Sequence, residues 1–292
     1  MKKIFWLEHN GMMQDIASHF ESSSTIDGAD IVLLWQDVMG MCKSYAHLAH
    51  SQKKPVVVIQ HGINAVNDYG PPTNYELLAD KLCVWSQSDV ELLKRFGISP
   101  KKYELTGTTI YSHLKPKEKH SGINVIFKPA HWDCDLEENL WVVDELRKIK
   151  GINVITKVHE RHNPKLFDNP VFSDRDCAGH LDVCADVLVK ADVVVGVGGD
   201  GTFELLSYAK DIPVITPNIW KPKKFLDGTI PMEMKYTEAC HLIDLKDLRS
   251  AIWNAIEHPE FKREERKYVA EYYGGINIEN PLDKILTIVN KI

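Results

Sequence analysis

The stretch Ala191–Pro217, ADVVVGVGGDGTFELLSYAKDIPVITP, leaves this chain little choice of fold. Its β-branched run Val193–Val195 reads as a strand buried on both faces. Gly196, Gly198, Gly199 and Gly201 follow at once, a turn dense in residues that tolerate positive φ. From Thr202, Phe203-Glu204-Leu205-Leu206 has helical periodicity, and Ile212–Thr216 makes a second strand. Strand, glycine turn and helix start bring backbone N–H groups and the positive end of a helix dipole to one point, which suits a phosphate. The plainer alternative is a tight β–α turn that needs glycine for its geometry alone.

The same alternation runs from end to end. Strand patterns occur at Ile4–Leu7, Ile31–Trp35, Val56–Gln60, Leu82–Ser86 and Tyr103–Thr106, then at Val125–Lys128, Val154–Val158 and Cys240–Ile243. Helical patterns lie among and after them, at Met12–Phe20, Val38–Ser51, Asp89–Phe96, Leu136–Ile149, Asp182–Lys190, Lys246–Glu257, Glu260–Tyr273 and Pro281–Ile292. This is the signature of an α/β fold with parallel sheets. Residues 114–121, polar and lysine-rich with a proline, interrupt it and read as a linker. The expectation is two Rossmann-like βα domains facing a cleft, residues 1–113 and 122–292, the second ending in helices. Ligands of such sheets sit beyond the carboxyl ends of the strands.

Bulk composition removes several classes. There are 10 Lys and Arg against 12 Asp and Glu in residues 1–113, and 25 against 29 in the remainder, so neither half carries the basic patch of a nucleic-acid binder. Six cysteines without a CxxC pair read as reduced thiols of a cytoplasmic protein. No apolar run approaches transmembrane length, which leaves peripheral association with a membrane face open.

Polar residues at strand ends are the candidates for chemistry. His61 directly follows a buried strand and precedes Gly62, a position for a general base towards a hydroxyl, with a satisfied structural histidine as the alternative. Asp68, in the loop after it, is placed to orient the imidazole. Lys128-Pro129-Ala130-His131 and Lys157-Val158-His159 end the first two strands of the second half. With Gly198, Gly199, Asp200, Gly201 and Thr202 they define three strand ends for one pocket, where Lys157 or His159 would neutralise a departing phosphate group. His159 and His162 have no clear third ligand, so no metal site is assigned and no cofactor is expected.

The segment ADKLCVWSQSDVELLKRFGISPKKYELTGT, the QHG at His61 and the KVH at Lys157–His159 resemble GT-B glycosyltransferases. The branch they resemble most is the CDP-glycerol glycerophosphotransferase-like proteins of surface-polymer synthesis. Thr202 stands eleven residues before Pro213, so Gly201 and Thr202 fall where that branch has its donor-binding serine pair. The resemblance implies transfer of a sugar or polyol-phosphate from a CDP-, CMP- or UDP-linked donor to a hydroxyl of a glycan or lipid-linked glycan, without an essential metal. It casts His61 as base and the Lys157 and His159 positions as holding the donor's phosphates, while the residue reading sets His159 and Asp68 beside His61 in the catalytic set. Donor binding falls to His131, Lys157, the loop Gly198–Thr202 and Glu204, although related nucleotide-sugar 2-epimerases carry a ribose-binding glutamate two positions further into that helix. Two alternatives stay open. Gly198-Gly199-Asp200-Gly201-Thr202 is also the GGDGT of NAD and lipid kinases, which place it ahead of a long β-rich domain. A nucleotide-sugar epimerase, or a non-catalytic relative, shares the rest of the pattern.

Overall fold

A computed structural model describes residues 1–7, 12–38, 40–62, 66, 69–71, 73–130, 136–158, 162–171, 180–196, 201–219 and 238–292. The chain divides into two units, one built chiefly from Met1–Ser112 and Glu271–Ile292, the other from His113–Arg175 and Asp182–Ala270.

The first unit holds β1 (Lys3–Trp6), α1 (Met12–Ala17), β2 (Glu21–Ser22), β3 (Ile31–Leu34), α2 (Gly40–Ser51), β4 (Val56–Ile59), β5 (Lys81–Val84), α3 (Gln87–Arg95) and β6 (Tyr103–Leu105). All its strands pair in parallel in the order β2-β1-β3-β4-β5-β6. IVLL of β3 and VVVI of β4 are buried at every position, because helices or loops cover both faces of a central parallel strand. Helix α3 starts where Ser86 caps it: the Ser86 hydroxyl accepts from the Asp89 N–H and donates to the Asp89 carboxylate at 2.7 Å. Gly97, at φ 75°, closes it.

The second unit holds β7 (Ile123–Phe127), α4 (Leu136–Arg147), β8 (Ile152–Lys157), β9 (Pro170–Val171), α5 (His180–Leu188), β10 (Val193–Val195), α6 (Thr202–Ala209), β11 (Val214–Pro217), β12 (His241–Ile243), α7 (Leu248–Glu257) and most of α8 (Arg263–Tyr272). Its sheet is also wholly parallel, in the order β12-β11-β10-β7-β8-β9. From β7 the chain winds outward through β8 and β9, then returns to the other side of β7 and continues through β10, β11 and β12. The winding therefore reverses between β7 and β10, and a crevice opens at such a switch point beyond the carboxyl ends of the two strands.

Two segments depart from the sequence expectation. The polar run 114–121 lies along the second unit: Lys115 pairs with Asp186, Lys117 with Asp192, and the Glu118 N–H donates to Val189 O. The tail does not stay with the second half. Glu271–Ile292, including α9 (Pro281–Lys291), belongs to the first unit. The Tyr111 hydroxyl donates to Gly274 O at 3.0 Å, and Gly275, at φ 66°, lies so close to β5 that an added Cβ would stand 2.0 Å from Trp85 O. Only glycine fits there, for want of space and because of the left-handed backbone. Gly275→Ala is expected to destabilise the chain by about 3 kcal/mol or more, through combined overpacking and strain. Its urea midpoint should fall, whereas Gly122→Ala, at an open surface position with φ 81°, should cost roughly 1 kcal/mol.

Candidate functional site

The polar groups of the second unit collect where its topology predicts. β7 ends at Phe127 and Lys128 follows; β8 ends at Lys157; β10 empties into Gly196; α6 begins at Thr202 after its cap Gly201. Lys128 Nζ stands 3.1 Å from Glu204 Oε1, an ion pair across the switch point with Glu204 fully buried. Glu204 is in the first turn of α6, where the helix dipole also favours a carboxylate. Its Oε2 has no hydrogen-bond partner among the described residues.

The glycines of the turn serve this carboxylate. Neither Gly196 nor Gly201 has a positive φ, so the tolerance of positive φ is not what these two positions use. A Cβ at Gly196 would lie 2.9 Å from Glu204 Oε1, and one at Gly201 would lie 3.0 Å from Oε2 and 3.2 Å from Lys128 Nζ. These two glycines are needed for close approach to a buried ion pair. Gly198, Gly199 and Asp200 lie outside the described residues, as do His131, His159 and Asp68.

Lys157 is also buried, at 6% exposure, and its ammonium donates to Val158 O at 3.3 Å. Burial pulls its pKa below the usual lysine value, and the Lys128 ammonium pushes it the same way. Glu204 and the Cys184 thiol act in the opposite sense, but burial raises the Cys184 pKa to about 11, so near neutral pH it holds no compensating charge. Among the described residues, two buried lysines and one buried carboxylate gather at the start of α6, whose first N–H groups have no side-chain cap. That arrangement fits an anion.

His162 has a different task from the ligand role considered for it. Its ring bonds to Ala130 O through Nε2 at 2.9 Å, which makes Nε2 the donor. Asn139 grips the same residue from both sides, accepting from Ala130 N–H and donating to Ala130 O, each at 2.9 Å. Together they fix the backbone that carries Lys128. Nothing in the pattern of the sequence marked Asn139. Among the described residues no group of three His, Cys, Asp or Glu could hold a metal ion. The described cysteines Cys42, Cys83, Cys184 and Cys240 are buried free thiols.

In the first unit, His61 follows β4 and packs edge-on against Trp35, which follows β3, with ring centroids 4.7 Å apart. His61 Nδ1 lies 2.8 Å from Trp35 O. A carbonyl only accepts, so Nδ1 carries the proton and Nε2 is the basic nitrogen of the neutral ring. Burial drives the His61 pKa down to about 4, against the weaker opposing effect of the Trp35 carbonyl, so the ring is neutral near pH 7. The neighbouring Gln60 is locked. It accepts from Trp85 N–H at 2.9 Å and donates to Gly62 O at 3.0 Å and to Asp89 Oδ2 at 3.2 Å. Buried Asp37 anchors the loop beyond, accepting from the Tyr69 hydroxyl at 2.8 Å and the Ala79 N–H at 2.6 Å. These two networks hold the backbone on either side of His61.

Two outcomes follow. Lys128→Met leaves the Glu204 carboxylate buried without its counter-ion and should lower unfolding stability by about 3–5 kcal/mol, most of it recovered in Lys128→Met/Glu204→Leu. Both variants are read by urea denaturation. His61 should make stability pH-dependent. Its folded pKa of about 4 lies below the unfolded 6.5, so the unfolded chain binds the extra proton in that window. Its contribution is full above pH 6.5 and lost as the pH falls towards 4; His61→Gln should flatten the slope of urea midpoint against pH across that interval.

No family model matches this sequence, and no curated protein matches it. Solved structures do match. The UDP-GlcNAc 2-epimerase of Methanocaldococcus jannaschii in complex with UDP-GlcNAc and UDP aligns with a TM-score of 0.64 at 14% identity, over 100% of both chains. The MnaA–UDP co-structure from S. aureus aligns with a TM-score of 0.62 at 12% identity, over 100% of this chain and 98% of that one. The wall teichoic acid polymerase TagF aligns with a TM-score of 0.61 at 11% identity, over 99% of this chain and 89% of that one. At these identities the likeness is one of fold. Two wholly parallel six-stranded sheets with their helices, aligned along the full chain, give this protein the GT-B fold of those structures.

Proposed function

We propose that this chain is an enzyme of nucleotide-activated sugars, holding a nucleoside diphosphate at the switch point of its second unit. The observation that carries the reading is the gathering of two buried lysines, Lys128 and Lys157, with Glu204 as the one carboxylate among the described residues at the start of α6. The diphosphate would take the α6 N–H groups and the two ammonium groups, and Glu204 Oε2 would accept from ribose hydroxyls. UDP is the first nucleotide to test, because matched structures are described as complexes with UDP or UDP-GlcNAc. In this reading Gly201 and Thr202 line the phosphate site, and His131, His159 and Gly198–Asp200 remain donor-side assignments resting on the sequence.

The reaction proposed is transfer to a hydroxyl. His61 Nε2 takes the acceptor's proton as the new bond to oxygen forms, the bond to the diphosphate breaks, and Lys157 with the α6 N–H groups stabilises the departing charge. A ring already neutral at pH 7 is in the state a base needs. Epimerisation at the sugar C2 is the second reading, favoured by full-length alignment with a 2-epimerase at a TM-score of 0.64. The kinase alternative loses its structural premise: after Thr202 the described chain has β11, β12 and helices in place of a long β-rich domain.

Calorimetry with UDP, CDP and ATP–Mg²⁺ tests the binding assignment. UDP or CDP should bind, Glu204→Gln and Lys157→Met should each weaken binding about tenfold or more, and His61→Ala should leave it unchanged. Binding should also weaken as the pH rises through the lowered Lys157 pKa, because the neutral amine no longer attracts the diphosphate. Product analysis with UDP-GlcNAc then separates the reactions: UDP released only with an acceptor supports transfer, and the 2-epimer formed without one supports epimerisation. In the transfer case His61→Ala should lower turnover about 10²–10⁴-fold. Binding of ATP–Mg²⁺ alone would refute the proposal.

A further inference from the structure

The outer edge of the second sheet carries a feature that neither reaction uses. β12 is the edge strand, and an open groove of about 610 Å³ runs beside it, bounded by α7 and the segment that precedes α8. His241, at the start of β12, lines this groove while 8% exposed, and its Nε2 has no hydrogen-bond partner among the described residues.

The lining defines the chemistry. Phe261 packs edge-on against His241, with centroids 4.8 Å apart, yet is 51% exposed; Leu242 is 50% exposed. These supply an aromatic face and an aliphatic one. Around them stand Asp247, Ser250 and Asn254, spaced at i, i+3 and i+7 so that they share one side of α7, and Lys262 opposite. The Ser250 hydroxyl donates to Asp247 O at 2.9 Å, which leaves its oxygen to accept, and the Lys262 ammonium spends one donor on Cys240 O at 2.7 Å and keeps two. Burial, with Lys262 and Arg266 nearby, drives the His241 pKa down to about 4, so the ring is neutral near pH 7. One carboxylate and one ammonium cancel. The groove thus offers balanced charge, interleaved donors and acceptors, and an exposed ring.

We infer that this groove is a binding site for an uncharged, polyhydroxylated ligand, a saccharide chain, whose hydroxyls pair with Ser250, Asn254 and Asp247 while a sugar face lies on Phe261, against which the His241 ring packs. Volumes of 300–1,000 Å³ are those of ordinary small-ligand sites. A phosphorylated ligand would meet Asp247, and an extended peptide would find little backbone to pair with. Asn218 N–H already takes Ile243 O, so His241 and Ile243 turn their backbone groups towards β11, and Leu242 alone turns its own outward.

The test uses the full chain, ¹⁵N-labelled at histidine, titrated with maltotriose, cellotriose and chitotriose while the ring nitrogens of His241 are followed by NMR. At least one trisaccharide is expected to shift the His241 ring signal saturably, with the shift retained in saturating UDP and in Glu204→Gln. That retention separates the groove from the nucleotide site proposed above. Phe261→Ala and Asn254→Ala, both at exposed positions, should each weaken binding about tenfold without lowering the thermal midpoint appreciably. The inference fails if no trisaccharide moves the His241 signal, if the shift vanishes with UDP present, or if neither variant changes it. It fails equally if a strand-forming peptide binds the groove and the sugars do not.

Discussion

A parallel sheet covered on both faces has no room for polar chemistry within its strands. In both units central strands such as β3, β4 and β10 are buried at every position, Val193–Val195 most completely, and only the strand ends can carry groups that meet a ligand. The order of strands then decides which ends converge. Because the second sheet winds outward from β7 in both directions, Lys128 after β7 and Gly196 after β10 become neighbours although they are far apart in the chain. The buried Lys128–Glu204 pair follows from this topology.

A buried ion pair is a poor way to gain stability, since desolvation of the two charges offsets much of their attraction. This one is built with some effort. Two glycines make space for the carboxylate, and Asn139 and His162 hold the backbone that delivers the lysine. A hydrophobic pair of similar volume would stabilise the fold at least as well. The arrangement makes sense if Glu204 has a second partner to meet, and its Oε2 has none among the described residues. The same holds in the first unit, where two networks, around Gln60 and Asp37, immobilise a neutral histidine with a defined tautomer.

Most of the architecture was legible in the sequence because it rests on local patterns. Buried β-branched runs marked β3, β4 and β10, and the helix predicted over Asp89–Phe96 differs from α3 by the two residues that follow its Ser86 cap and by Phe96, which caps its end. Two-residue β2 and β9 are too short to leave a period. The destination of the tail was not legible either. Amphipathic α9 announces a helix but not the unit that receives it, which depends on a contact between Gly275 and Trp85 across the length of the chain. At the candidate site, strand-end reasoning pointed to His61 and Lys157, which follow or end β4 and β8. For Gly196 and Gly201 the reason for glycine lies elsewhere than in φ: a positive φ is a local property, whereas room for Glu204 is a tertiary one. Asn139 and the Trp35 carbonyl escaped for the same cause: an amide in a helix and a backbone oxygen carry no sign of what they hold.

Lys157 shows why the nucleotide reading has energetic weight beyond geometry. Among the described residues no carboxylate stands within ion-pair distance of it, and its pKa is depressed by burial and by Lys128. A protein gains nothing in the absence of ligand from burying a second ammonium beside the first. In the proposed function that cost would be recovered when the diphosphate arrives, as binding energy. A diphosphate at this point would restore Lys157 towards its ordinary protonation, complete the charge balance and satisfy the open N–H groups of α6 in one step. Ligand should therefore stabilise the second unit through the same groups that strain it, and its mass action on unfolding would be largest where the apo protein is least content electrostatically. Sites that bind a highly charged group and then release it need this imbalance, because a site already neutral by itself would hold neither phosphate nor water with preference.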